Sequence, residues 1–172
     1  NDYDVDRYAG VLKLVREKSG WGKKQANVHR GVSAYFCHNT YCAIVLDVKL
    51  EKGKLTMPRV CCAIDCGLVI NPDAAVNLAE GSVVDAVGNA LYGSMTFKEG
   101  KPEKNNFNSY RMIRNSEAPK AIDVHFVQND LDPTGMGEPA FPPVFAALAN
   151  ALYKATGKRF YDQPFISSLN IN

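Results

Sequence analysis

The stretch VSAYFCHNTYCAIVLDVKLEKGKLTMPRVCCAI, residues 32–64, decides the fold class. Its apolar side chains recur at every second position. Val32, Ala34 and Phe36 form one run, and Ile44, Leu46, Val48 and Leu50 a second; a third spans Leu55 to Ile64. Period two marks strands, because successive side chains point to opposite faces. Lys52-Gly53-Lys54 supplies a turn. The links are too short for crossovers, so the three runs predict an antiparallel meander.

Outward from this stretch the period changes. Tyr8, Val11, Leu12 and Val15 recur at i, i+3, i+4 and i+7, predicting a helix over 5–18 with Gly20 just past its last turn. Asn71-Pro72-Asp73 reads as a helix start. Asn71 caps, Pro72 suits the first helical position, and Asp73 complements the dipole. Val76, Val83, Val87 and Leu91 form the stripe of that helix. Gly81 and Gly88 interrupt it, each costing about 1 kcal/mol relative to Ala. Their presence implies that a backbone or a ligand approaches closely there. Lys98 to Pro102 predicts a turn between short runs at 95–97 and 104–107, and Ile122, Val124 and Phe126 predict another strand. Val144, Leu148, Ala151, Leu152 and Ala155 mark a last helix, ended by Gly157. Together these elements predict an α+β fold, with an antiparallel or mixed sheet and flanking helices, as a single domain over residues 1–172.

Composition narrows the function. The chain has 172 residues, 46% hydrophobic and 22% charged, with a formal charge of +2. A chain of this length buries a sizeable core unaided. The charge balance gives no field for nucleic acid. Apolar runs such as Val144 to Ala149 are far short of the ~20 residues that span a bilayer, and no secretory signal is visible. Five cysteines, an odd number, argue against a closed disulfide framework. Cys37 and Cys42 flank a four-residue segment and could face each other across a hairpin; a disulfide or, better, buried free thiols would fit. His29, His38 and His125 share no metal-ligand spacing, so no protein metal site is expected.

The segment with the most unusual chemistry is Gly135-Met136-Gly137-Glu138-Pro139. Two glycines permit close backbone approach, and Pro139 biases Glu138 toward an extended conformation. A carboxylate on a rigid loop before a helix is suited to act as a general base. On the motif alone, a structural turn whose Glu meets solvent or the helix dipole is the favoured reading.

Several motifs occur in a fixed order. They include Arg30-Gly31-Val32-Ser33-Ala34, Ala63-Ile64-Asp65-Cys66-Gly67 and Asn71-Pro72-Asp73. Glu80-Gly81, Ala90-Leu91-Tyr92-Gly93 and Glu117-Ala118-Pro119 follow. The Gly135 to Pro139 loop and Ala155-Thr156-Gly157-Lys158-Arg159 complete the set. From about Asp4 to Phe165 the chain resembles the C-terminal part of the molybdopterin-binding large subunit of the xanthine dehydrogenase/aldehyde oxidase family. The isoquinoline 1-oxidoreductase beta subunit is the branch it is most similar to.

The resemblance implies a molybdenum hydroxylase that oxidises an N-heterocycle or an aldehyde with water-derived oxygen. It assigns Glu138 as general base toward the metal-bound hydroxyl. It places Gly135, Met136, Gly137, Glu80 and Gly81 at the molybdenum–molybdopterin cofactor. It also implies two partners: the N-terminal remainder of the large subunit, and a small subunit carrying [2Fe–2S] clusters. On this reading the chain is an excised C-terminal part that is inactive alone and does not retain the cofactor. The resemblance leaves the compartment open between the cytoplasm and, given an upstream twin-arginine signal, the periplasm. One departure stands out. The family pattern Gln-x-x-Gly is Leu78-Ala79-Glu80-Gly81 here, and Leu78 neither donates nor accepts a hydrogen bond. Asn77 could replace the missing amide. A non-catalytic assembly module that keeps only the scaffold is the alternative.

Overall fold

A computed structural model describes residues 3–169; residues 1–2 and 170–172 of the expected 1–172 domain lie outside the described residues. The central sheet contains β1 (His29–Cys37), β2 (Thr40–Glu51), β3 (Lys54–Thr56), β4 (Val60–Asp65) and β7 (Ile122–Phe126). Its order is β1-β2-β4-β7, with β3 continuing beside β2. A separate two-stranded hairpin joins β5 (Phe97–Lys98) to β6 (Lys101–Pro102). The predicted 104–107 run takes no part in that hairpin.

The helices carry the end signals read from the sequence. Helix α1 (Val5–Ser19) ends at Gly20, whose φ of 65° is the left-handed cap conformation. Helix α2 (Pro72–Tyr92) begins with the Asn71 side chain accepting from the Ala74 amide. Helix α3 (Pro142–Thr156) ends at Gly157, also left-handed.

The sheet is covered on both faces. Cys42, Ile44, Leu46 and Val48 of β2, with Val60, Cys62 and Ile64 of β4, pack with α2 and α3. Tyr41, Ala43 and Val45, with Cys61 and Ala63, pack against Val11 and Val15 of α1. Strand β2 is therefore buried from Thr40 to Val48 instead of alternating between core and solvent. Leu148 and Leu152 of α3 are completely buried, each contributing about 1.5–3 kcal/mol by burial. Helix α3 lies so close to β1 that a Cβ on Gly31 would sit 1.8 Å from the Ala147 carbonyl oxygen.

Two further expectations are corrected, and the sheet type is specified. The third strand run is broken at Met57-Pro58-Arg59 into β3 and β4, because Pro58 has no amide for the ladder. Strands β1 to β4 pair antiparallel as expected, and β7 runs parallel to β4, so the sheet is the mixed one of the two expected kinds. The intervening α2 provides the crossover that parallel pairing requires. Cys37 lies opposite Thr40, while Cys42 lies opposite Tyr35, so the two do not pair. All five cysteines are free thiols.

Two buried ion pairs tie layers together. Arg30 on β1 makes a bidentate pair with Asp47 on β2, at 2.8 and 3.1 Å, and also reaches the Gly20 carbonyl. Arg7 on α1 pairs with Asp65 at the end of β4, at 2.7 and 3.1 Å. Burial alone would raise the Asp65 carboxyl. Hydrogen bonds from Arg7, the Asn129 amide and the Gly67 N–H outweigh it and hold the group below the ordinary carboxylate range. Among the described residues, no helix is long and apolar enough to cross a membrane.

Candidate functional site

The β1–β2 hairpin turns at Cys37-His38-Asn39-Thr40, with φ of 50° at His38 and 57° at Asn39. Two consecutive left-handed residues make the tight turn that matches strand twist. Histidine and asparagine are among the few side chains enriched in that conformation.

The Gly-rich segment crosses this hairpin and is pinned to it. The Thr134 N–H donates to the Cys66 carbonyl at 2.9 Å, and the Gly135 N–H to the His38 carbonyl at 3.3 Å. The buried Thr40 hydroxyl donates to the Gly135 carbonyl at 2.6 Å and accepts from Thr134 at the same distance. A Cβ on Gly135 would lie 2.8 Å from the His38 Cβ, so only glycine lets the two backbones approach this closely. Further along, Ser82 of α2 donates to the Gly137 carbonyl at 3.3 Å. Loop, hairpin and helix thus converge on Glu138.

The Glu138 carboxylate accepts from His38 Nε2 at 3.0 Å, and both side chains are more than half exposed. The Cys37 thiol completes a cluster whose ligand atoms all lie within 4.8 Å of one another. Burial and the neighbouring Glu138 charge both push the Cys37 thiol up from its ordinary value. His38 and Glu138 are 100 residues apart in sequence. Their pairing has no local spacing to read; the one sequence signal is that each sits in a turn.

Beside Glu138 lies a shallow cleft of about 410 Å³ between α2 and the loop. Asn77, Leu78, Gly81, Ser82 and Asp85 form its helical wall, and Gly137, Glu138 and Phe141 the other. A Cβ at Gly81 or Gly137 would meet nothing within 4 Å, so their missing side chains widen the cleft. At Gly88 the close neighbour is Ile113, whose side chain would lie 2.9 Å from a Cβ there. The six residues assigned from the resemblance therefore divide. Gly81, Gly137 and Glu138 line the cleft; Gly135 is backed against the hairpin, and Met136 packs on the core. Glu80 is half-buried and outside the cleft lining. Leu78 is 47% exposed and gives the cleft an apolar edge where an amide was expected.

A larger cleft, about 550 Å³, lies at the opposite end of β1, lined by Trp21, Lys23, Lys24, His29 and Lys154. It has no carboxylate in its lining and is remote from the Gly-rich loop.

Residues 8–119 match the family model for the molybdopterin cofactor-binding domain. Glu138 and its loop follow that matched region. A nicotinate dehydrogenase subunit of Pseudomonas putida is 32% identical over 92% of this chain and 15% of its own length. The isoquinoline 1-oxidoreductase beta subunit of Brevundimonas diminuta is 28% identical over 95% of this chain and 22% of its own length. The chain thus spans about a fifth of that relative. Among solved structures, quinoline 2-oxidoreductase from Pseudomonas putida shares the fold with a TM-score of 0.62. It is 18% identical, over 73% of this chain and 17% of that one. Molybdenum–molybdopterin is the cofactor of these relatives' family, as the motif order implied. By matched sequence and by fold, the chain belongs to the molybdopterin cofactor-binding domain family, the family of the xanthine dehydrogenase molybdenum-binding subunits.

Proposed function

We propose that this chain forms one wall of the active site of a molybdenum hydroxylase, with Glu138 as its general base. The substrate class is an N-heterocycle, as the isoquinoline and nicotinate relatives are named for, or an aldehyde, as a membrane-bound aldehyde dehydrogenase of Gluconacetobacter polyoxogenes, 27% identical over 92% of this chain, is named for. One observation carries the reading: Glu138 stands at the mouth of a glycine-widened cleft, on a loop anchored by Thr40 and Ser82. A base must be within hydrogen-bond reach of the proton it takes, on a support that does not move.

The cleft fits part of the cofactor. Gly81 and Gly137 leave the space that a planar heterocycle edge would fill, and Asn77 and Ser82 border it with polar groups. Its charged lining is Asp85 and Glu138, with no lysine or arginine. A phosphate arm therefore finds its countercharge in other parts of the parent subunit. When bound, molybdenum–molybdopterin supplies the two-electron acceptor for substrate oxidation. Glu138 takes the proton from the hydroxyl that attacks the substrate carbon, and His38 holds the carboxylate at 3.0 Å from its ring nitrogen. Leu78 adds apolar contact only. The N-terminal remainder of the large chain completes the cofactor site, and a [2Fe–2S] partner removes the electrons.

The isolated chain, incubated with an N-heterocycle and an artificial electron acceptor, gives no turnover. Measurable hydroxylation by the chain alone would contradict that part. The cofactor reading is tested by plasma mass spectrometry on the native full-length protein. About one molybdenum per large chain supports the hydroxylase. A well-folded parent without molybdenum favours the scaffold-only assembly module, which the exposed Leu78 at the cofactor-facing edge would then explain.

A further inference from the structure

The Cys37-His38 turn presents more than a partner for a base. Three different ligand chemistries converge there: a thiol, an imidazole and a carboxylate, with all ligand atoms within 4.8 Å. The backbone beneath them is set without any ion. His38 is held in the left-handed conformation, its carbonyl accepts from Gly135, and the buried Thr40 hydroxyl locks the Gly135 carbonyl. The two segments that carry the ligands are therefore fixed relative to each other.

We propose that Cys37, His38 and Glu138 form a binding site for one zinc-class divalent cation. Sulfur, nitrogen and oxygen donors together suit zinc and its borderline neighbours, whereas magnesium and calcium take oxygen ligands. Zinc bonds of about 2.0–2.3 Å put tetrahedral ligands about 3.3–3.8 Å apart. The His38–Glu138 pair, at 3.0 Å, opens slightly to reach that spacing, and Cys37 closes in by about 1 Å. Both moves are side-chain rotations at a surface where His38 and Glu138 are 60% and 55% exposed. The thiolate and carboxylate neutralise a divalent charge, and the solvent side leaves a fourth position open. The consequence for activity rests on the reading of Glu138 as base: a cation held there takes the lone pair that would accept the proton, and so inhibits turnover.

Cobalt(II), a spectroscopic stand-in for zinc, is titrated into the purified full-length protein. The expected result is a thiolate-to-cobalt charge-transfer band that saturates at one equivalent and is displaced by zinc. Cys37→Ser removes the band, and His38→Ala weakens binding. Thr40→Val keeps all three ligands but loosens their support, and weakens binding by about 10-fold. A wild type without the band, or a band that survives Cys37→Ser, overturns the site. In the loaded enzyme, zinc inhibits the wild type and does not inhibit Cys37→Ser; equal inhibition of both overturns the link to Glu138. The titration is read without turnover, so its failure leaves the assignment of Glu138 as base standing.

Discussion

The sheet interior and the Glu138 loop are built on opposite terms. In the interior, β2 and β4 are covered on both faces, and their contacts follow from the two-residue period of each strand. At the loop, Glu138 and His38 are largely exposed, and their geometry depends on hydrogen bonds that tie the loop backbone to Cys66, His38, Thr40 and Ser82. Burial holds the first region, so single losses there cost stability. Placement holds the second, so single losses there cost activity while the fold survives.

The largest stability effect is expected where the interior holds charge. Asp65→Asn removes the partner of Arg7 in a largely buried pair and lowers unfolding stability by about 3 kcal/mol, measured by denaturant titration. The effect has a pH signature. The native Asp65 carboxyl sits below its ordinary value, so its contribution is complete above about pH 4. It fades as pH falls through the lower native value. The stability gap between wild type and Asp65→Asn therefore shrinks on acidification; a gap that stays constant to low pH would contradict this.

Gly135→Ala tests the other region. Its Cβ meets His38 at 2.8 Å and pushes the loop off the hairpin. Turnover of the loaded enzyme falls by about 100-fold, as expected for a misplaced base, while stability falls by about 1–2 kcal/mol as the buried Thr40 hydroxyl loses its partner, less than at Asp65. A large stability loss with little change in turnover would reverse the contrast. The smallest effect is at Leu78. Leu78→Gln restores an amide at an exposed position and leaves stability within about 0.5 kcal/mol. It raises molybdenum retention in the full-length protein, read by metal content after dialysis.

The same contrast explains how much was legible in sequence. Gly20, Asn71-Pro72 and Gly157 are local punctuation, and each stands at a helix end as read. The period-two runs located the strands, since face alternation is a local property. Pairing is not local. The direction of β7 depends on the crossover before it, and the break at Pro58 on which amide the β2 ladder needs. Gly81 and Gly137 could be read as positions of close approach, but not that both open onto one cleft. The ordered motifs carried the family, whereas no spacing could bring His38 to Glu138 across 100 residues.

The role of Glu138 as base is read from the turnover of Glu138→Gln in the full-length enzyme at matched molybdenum content. Glutamine keeps the size and a hydrogen-bond acceptor but cannot take a proton. The expected kcat is lower by about 10²–10⁴-fold, with molybdenum content and thermal stability unchanged. Turnover within a few-fold of wild type at equal molybdenum would show that the base is elsewhere.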